Sequence, residues 1–256
     1  MLNDIIYEHP LNERNRILMR LEYLFNKIEH FLINNTSWEA FIAVQTLIEI
    51  INILERNDIS SDVMKELDRH QTTLSKLLDI PAVNREKLEA TLADLASQLN
   101  NMQATSGKHT KQLRSDELLN SIRQKMALSN NLCSFDIPAL HYWLHQNNES
   151  QLRQFNKWLE ELINIKTSIK LILQIIRNSA QFEPQIAKCG FFQTALAHSP
   201  HHQIIRIKLP DTYTVFPETS GSKHRITVRF MAFPEDSARP EQIKEDILFS
   251  LSCCNL

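Results

Sequence analysis

Ile204-Ile205-Arg206-Ile207-Lys208-Leu209 alternates apolar and cationic side chains, and this run decides the fold class. Successive side chains of a strand point to opposite faces, so Ile205, Ile207 and Leu209 share one face while Arg206 and Lys208 share the other. Arg225-Ile226-Thr227-Val228-Arg229-Phe230 repeats the pattern, with Lys223, Arg225 and Arg229 opposite Ile226, Val228 and Phe230. A weaker alternation runs from Asp246 to Leu251. Pro210, Pro217, Ser220-Gly221-Ser222, Pro234 and Pro240 separate these runs, as turn residues do. Three strands are predicted, or four if Ile5 to His9, ahead of Pro10, joins the sheet. Between residues 201 and 230, five Lys or Arg face two acids. If the two basic strands are neighbours, their cations form one patch on the solvent side of a half-buried sheet. An ordinary solvated face with incidental cations fits the same pattern.

Everything upstream reads differently. Leu18, Leu21, Phe25, Ile28 and Leu32 recur at spacings of three and four, the mark of one helical face. Thr36 with Glu39 makes a capping box for a helix bearing Phe41, Val44, Ile48, Ile51 and Leu54. Val63, Leu67, Leu74 and Leu77 define a third helix, and Asn84 caps a fourth carrying Leu88, Leu92, Leu95 and Leu99. Residues 100–110 are polar and unpatterned and are predicted as a loop. Leu118, Leu119, Ile122 and Met126 mark a fifth helix. Asp136 and Pro138 open a short one with Leu140, Trp143 and Leu144, and a long helical run covers about 149–179. The expected class is therefore α+β, mainly α: an antiparallel helical bundle over 11–180 and a small antiparallel β-sheet domain over 181–256, joined by an N-terminal strand at 4–9.

Composition narrows the function. The 256-residue chain holds only three glycines, where average usage gives roughly 18. Phosphate loops and dinucleotide turns need glycine, and helices disfavour it. The net charge of −2 offers no global attraction to nucleic acid or anionic lipid, so recognition must be local. No apolar run approaches the roughly 20 residues that span a bilayer, and the start lacks a signal-peptide pattern; a cytoplasmic protein without membrane contact is expected. Cys133 and Cys189 are isolated and Cys253-Cys254 adjoin, so the spacing of a zinc or redox pair is missing. His141 and His145 stand four apart on a predicted helix, but Tyr142, Trp143 and Leu144 between them supply no catalytic glutamate. No metal, no cofactor and no catalytic residue is expected.

Several strings together resemble the ZapD family of Z-ring-associated cell-division proteins. They are Tyr7-Glu8-His9-Pro10-Leu11-Asn12-Glu13, Arg20-Leu21-Glu22, Lys65-Glu66-Leu67-Asp68-Arg69, the run from Cys133 to His145, Val228-Arg229-Phe230-Met231 and Cys253-Cys254. They span the chain in order. The resemblance implies a helical domain, a smaller strand domain and a symmetric homodimer at the division site (midcell). Such a dimer binds the C-terminal tail of FtsZ, the tubulin-like division GTPase, and bundles its protofilaments. It places the contact on Arg20, Arg56, His141, Arg225 and Arg229, with Lys223 beside them. Arg206, Lys208, Arg114 and Arg123 are secondary candidates. Glu117 stands where family members can present an arginine, and Arg114 or Arg123 is the nearest compensating cation. The alternative is a nucleic-acid-binding module on the same basic strands. That module would need stacking aromatics, which the basic-face positions of those two strands do not supply.

Overall fold

The computed structural model describes residues 4–34, 36–56, 58–81, 83–105, 111–128, 135–196, 202–222, 224–234 and 238–255. Strand β1 (Asp4–Pro10) includes Pro10 instead of stopping before it, which an edge strand tolerates. Helix α1 (Glu13–Asn34) buries Leu18, Leu21, Leu24, Phe25 and Ile28, while the side chain of Leu32 lies outside the described residues. Helix α2 (Ser37–Arg56) begins on the expected capping box: Glu39 N donates to Thr36 Oγ1 at 3.3 Å and Thr36 N to Glu39 Oε2 at 3.0 Å. By length and composition α2 could cross a membrane, contrary to the expectation that no segment could. Its mean hydropathy of 1.4 comes largely from Ala40, Ala43, Val44, Leu47, Ile48, Ile50 and Ile51, all buried within the protein.

Asp58 caps α3 (Ile59–Ser75) through Ser61 N, and Asn84 caps α4 (Arg85–Ala104) through Lys87 N. Here the expected loop is corrected: residues 100–104 are helix. Buried Met102 continues the row of Leu88 and Leu95 at intervals of seven, two helical turns apart on one face. Residues 106–110 lie outside the described residues. A short α5 (Lys111–Ser115) precedes α6 (Glu117–Leu128). In α7 (Pro138–Leu144) the cap position belongs to Ile137, with no side-chain cap bond, rather than to Asp136. The single run expected over 149–179 is two helices, α8 (Asn148–Glu160) and α9 (Ile163–Asn178). Leu162 N turns back to Leu159 O at 2.9 Å, a three-residue closure that ends a helix without glycine or proline.

Seven further strands follow: β2 (Glu183–Ala187), β3 (Phe191–Ala195), β4 (His202–Pro210), β5 (Phe216–Gly221), β6 (Arg225–Ala232), β7 (Glu241–Gln242) and β8 (Ile247–Asn255). Eight strands among the described residues replace the three or four expected. They form two antiparallel sheets, one ordered β1-β4-β8-β2 and the other β3-β6-β5 with β7 on β6. Ile205, Ile207, Leu209, Ile247, Phe249 and Leu251 of the first sheet share one buried cluster with Ile226, Val228 and Phe230 of the second. The sheets therefore pack face to face. The β2–β3 turn places Cys189 at φ 48° and Gly190 at φ 69°, as a two-residue hairpin turn requires. A side chain at Gly190 would meet the Ile243 carbonyl oxygen at 2.6 Å.

The chain divides into two compact units, Met1–Met19 with Leu173–Leu256, and Arg20–Ile172. In the first, burial pushes the Cys253 thiol up to about 11 and also raises Cys254, which keeps both protonated. In the second, buried His70 on α3 lies beside the Glu66 carboxylate, its Nε2 at 3.3 Å from Arg69 Nη2. The same Nε2 lies 3.6 Å from Glu66 Oε2, between a guanidinium and a carboxylate, while Nδ1 is buried without a partner among the described residues. Burial first, and Arg69 after it, lower the His70 pKa, against an opposing pull from Glu66. The unfolded chain then binds a proton that the fold refuses in the window below 6.5, so stability falls as pH drops from 6.5 toward the lowered value. Thermal melts from pH 7.5 to 5 are expected to lose stability in that window, and His70→Gln to flatten part of the loss. An unchanged pH slope in the variant would show that His70 is not its source.

Candidate partner-binding surfaces

The two basic strands do not combine. Arg206 and Lys208 lie on β4 of the first sheet, and Arg225 and Arg229 on β6 of the second. Because the apolar sides of both strands enter the same buried cluster, their cationic sides face away from each other. The single patch expected from neighbouring strands is thus two outward faces. On the first face the cations are already engaged. Arg206 Nε donates to Glu8 Oε1 at 2.9 Å, Lys208 Nζ sits 3.2 Å from Asp4 Oδ2, and Phe182 lies 5.0 Å and 5.4 Å from the two cations. Register pairing sets Glu8 directly across from Arg206.

On the second face Arg225 and Arg229 are exposed. Arg229 stands between Phe191 of β3 and Glu218 of β5, and Arg225 beside Ala195. Lys223 lies outside the described residues. Phe191 escaped sequence reasoning because β3 lacks a clear alternation, and it supplies the outer face with one aromatic, which the nucleic-acid alternative had lacked.

The helical unit gathers a second set of cations. Glu55, on the last turn of α2, accepts from Arg114 Nε of α5 at 3.1 Å and from Arg123 Nη1 of α6 at 2.5 Å through the same oxygen. Arg56 follows directly and is exposed. Two guanidiniums on one carboxylate leave excess positive charge, and each retains unshared N–H groups suited to a second carboxylate. Asp116 holds this corner: it caps α6 through Leu119 N at 3.0 Å and accepts from Trp158 Nε1 at 2.9 Å. The Asn120 side-chain amide donates to the Arg114 carbonyl. Glu117 occupies the first turn of α6 and is exposed, where a carboxylate favours the helix end.

Arg20 Nη2 donates to Glu49 Oε1 at 2.8 Å. Glu49 and Arg56 are seven residues apart on α2, hence on one side and about 10 Å apart along its axis. His141 is exposed on α7, which packs against α2 and α6. Its ring lies 4.3 Å from that of His145, whose Nδ1 bonds the His141 carbonyl at 2.8 Å. Arg56, Arg114, Arg123 and His141 are therefore carried on adjoining elements, while Arg20 joins them through α2. No group of three or more metal-ligating side chains occurs among the described residues; Cys133 falls outside them.

Comparison with known proteins adds a family. A model described as "ZapD: Cell division protein" matches residues 19–229, the interval that holds every candidate named above from Arg20 to Arg229. A protein named "Cell division protein ZapD" from Methylococcus capsulatus is 38% identical over 256 residues, covering 100% of both chains. Proteins of the same name from Nitrosomonas eutropha and Ralstonia nicotianae are 36% and 35% identical over 252 residues. Those alignments cover 98% of this chain and 100% and 99% of theirs.

Proposed function

This chain belongs to the ZapD family of cell division proteins, and on that premise we propose that it binds the C-terminal tail of FtsZ and crosslinks FtsZ protofilaments during Z-ring assembly. It works by binding, without a catalytic step, at the cytoplasmic division site. The observation that carries the reading is the Arg114–Glu55–Arg123 cluster beside Arg56. A flexible tail with acidic side chains or a terminal carboxylate is the natural complement of such a surface. Arg20, Arg56 and His141, with Arg114 and Arg123, make the contact on the helical unit, and Arg225 and Arg229 make it on the sheet unit. The secondary candidates Arg206 and Lys208 are held by Glu8 and Asp4 and are left out of the proposed contact. Crosslinking needs two sites on one body, which a two-fold homodimer supplies.

Sedimentation of FtsZ polymers with the purified protein tests this, together with binding of a synthetic FtsZ tail peptide at two salt concentrations. Wild type is expected to pellet bundles and to bind the peptide less tightly as salt rises. Arg225→Glu with Arg229→Glu lowers affinity about tenfold or more, since like charges across an interface cost several kcal/mol. Bundling at wild-type level by that double variant would remove the sheet face from the site. Salt-sensitive oligonucleotide binding tighter than peptide binding would replace the reading with the nucleic-acid one.

A further inference from the structure

A groove of about 850 Å³ runs between α5 and α8 in the helical unit, well within the size of recognition sites. Its α8 wall carries Arg153, Gln154 and Lys157. Trp158, buried and lining it, is tied to Asp116 at 2.9 Å, and Trp143 donates to Gln154 Oε1 at 3.0 Å, with the two indoles 5.7 Å apart. The indole bond fixes the Gln154 carbonyl oxygen and leaves its NH₂ as a positioned donor. A second depression of about 420 Å³, containing Tyr142 and His145, shares Gln146 and Ser150 with the first. The two depressions therefore adjoin at these shared residues. In the second depression the His145 ring lies 4.3 Å from that of His141, tilted by 45°, and Arg114 of the basic site lies in sequence between the lining residues Leu113 and Ser115.

Arg153 and Lys157 are one turn apart on α8 and therefore neighbours on its surface. The Arg153–Glu149 bond of 3.3 Å joins side chains that are 72% and 87% exposed, so it is weak and readily exchanged for another carboxylate. Of the two acids in the lining, Asp116 has both oxygens engaged by Trp158 and Leu119, and Glu161 is the other. Two adjoining, solvent-open depressions with two cations and an amide donor on one wall match an extended acidic chain better than a compact ligand.

We propose that this groove seats an extended acidic segment of the partner, with Arg153 and Lys157 pairing its carboxylates and Gln154 donating to its backbone. The inference rests on the tail-binding reading and adds to it a path beyond the arginine cluster. The test uses the full-length protein and a fluorescein-labelled FtsZ tail peptide, read by anisotropy. Arg153→Glu with Lys157→Glu is expected to weaken binding about tenfold or more, with an unchanged melting curve. Gln154→Glu keeps the acceptor for Trp143 and replaces the donors by a charge, and it is expected to weaken binding about fivefold. Arg85→Glu with Lys170→Glu, an equal charge change on exposed residues elsewhere in the helical unit, should leave affinity within about twofold, because distant surface charges are screened. If wild type binds the peptide and both groove variants match this control, the groove is not the path. If wild type binds no peptide at any salt, the tail reading itself falls, and the groove proposal with it.

Discussion

Phe230→Ala is expected to cost the sheet unit about 3–5 kcal/mol, the usual penalty for emptying a buried aromatic position. Phe230 is 0% exposed on β6, and its ring lies 5.1 Å from Phe249 of β8, which in turn lies 5.2 Å from Phe192 of β3. The three rings tie one sheet to the other. Few neighbours can refill the space, because the hydrogen-bonded ladders on both sides fix the backbones that carry them. Val228→Ala, in the same cluster, removes less volume and is expected to cost about 1–3 kcal/mol. A chain of two compact units need not unfold in one step, so the measurement is native-state amide exchange at β4, β6 and β8. Protection there should fall by the full amount in Phe230→Ala while α2 and α3 keep theirs. A loss below about 1 kcal/mol, less than one buried side chain is worth, would mean that the rings do not hold the sheets together.

The residues that made the fold legible are those whose neighbours in sequence are also their neighbours in function. Ile205, Ile207 and Leu209 alternate because β4 is a central strand with one side in the core, and Ile226, Val228 and Phe230 do so for the same reason on β6. Edge strands carry no such record. β5 contains Pro217 and ends on Gly221, and β2 contains Pro184; their conformation is imposed by pairing with β6 and β8. Which strands share a sheet is a long-range choice, and period two is blind to it. That is why one basic patch was expected where two opposed faces exist.

Met102 was a missed signal, since it extends the row of Leu88 and Leu95 through a polar stretch. The break at Glu161-Leu162 had no signal at all, lacking any helix-breaking residue. The candidate site follows the same division. Arg20, Arg56, His141, Arg225 and Arg229 could be named from resemblance. The sharing of Glu55 by Arg114 and Arg123 joins residues 59 and 68 positions apart, and only the fold brings them together.

Glu8→Ala is expected to destabilise the sheet unit by about 2–4 kcal/mol, somewhat below the cost of breaking a fully buried pair. The Glu8 carboxylate accepts from Arg177 Nε at 2.9 Å and Nη2 at 2.7 Å, and from Arg206 Nε at 2.9 Å. The three side chains are 18%, 22% and 17% exposed. Removing the carboxylate leaves two half-buried guanidiniums side by side, the arrangement whose cost exceeds the worth of the original pairs. Arg206 Nη1 also reaches the Arg177 carbonyl at 3.4 Å, and Ser252 Oγ and Asn255 N bond Ala180 O and Ser179 Oγ nearby. Losing Glu8 should therefore loosen the end of α9 from β8 as well. Glu8→Gln keeps an acceptor and should cost less. A double-mutant cycle with Arg206→Ala isolates the pair, and a coupling of about 1–3 kcal/mol is expected for a desolvated, charge-assisted bond. Coupling near zero would return Arg206 to the solvated surface and make it available to a partner. With strong coupling, Arg206→Ala is expected to weaken the proposed tail binding only as far as it unfolds the sheet. The acidic partner of this arginine then lies within its own chain, and Arg225 and Arg229 remain the exposed cations proposed for recognition on the sheet unit.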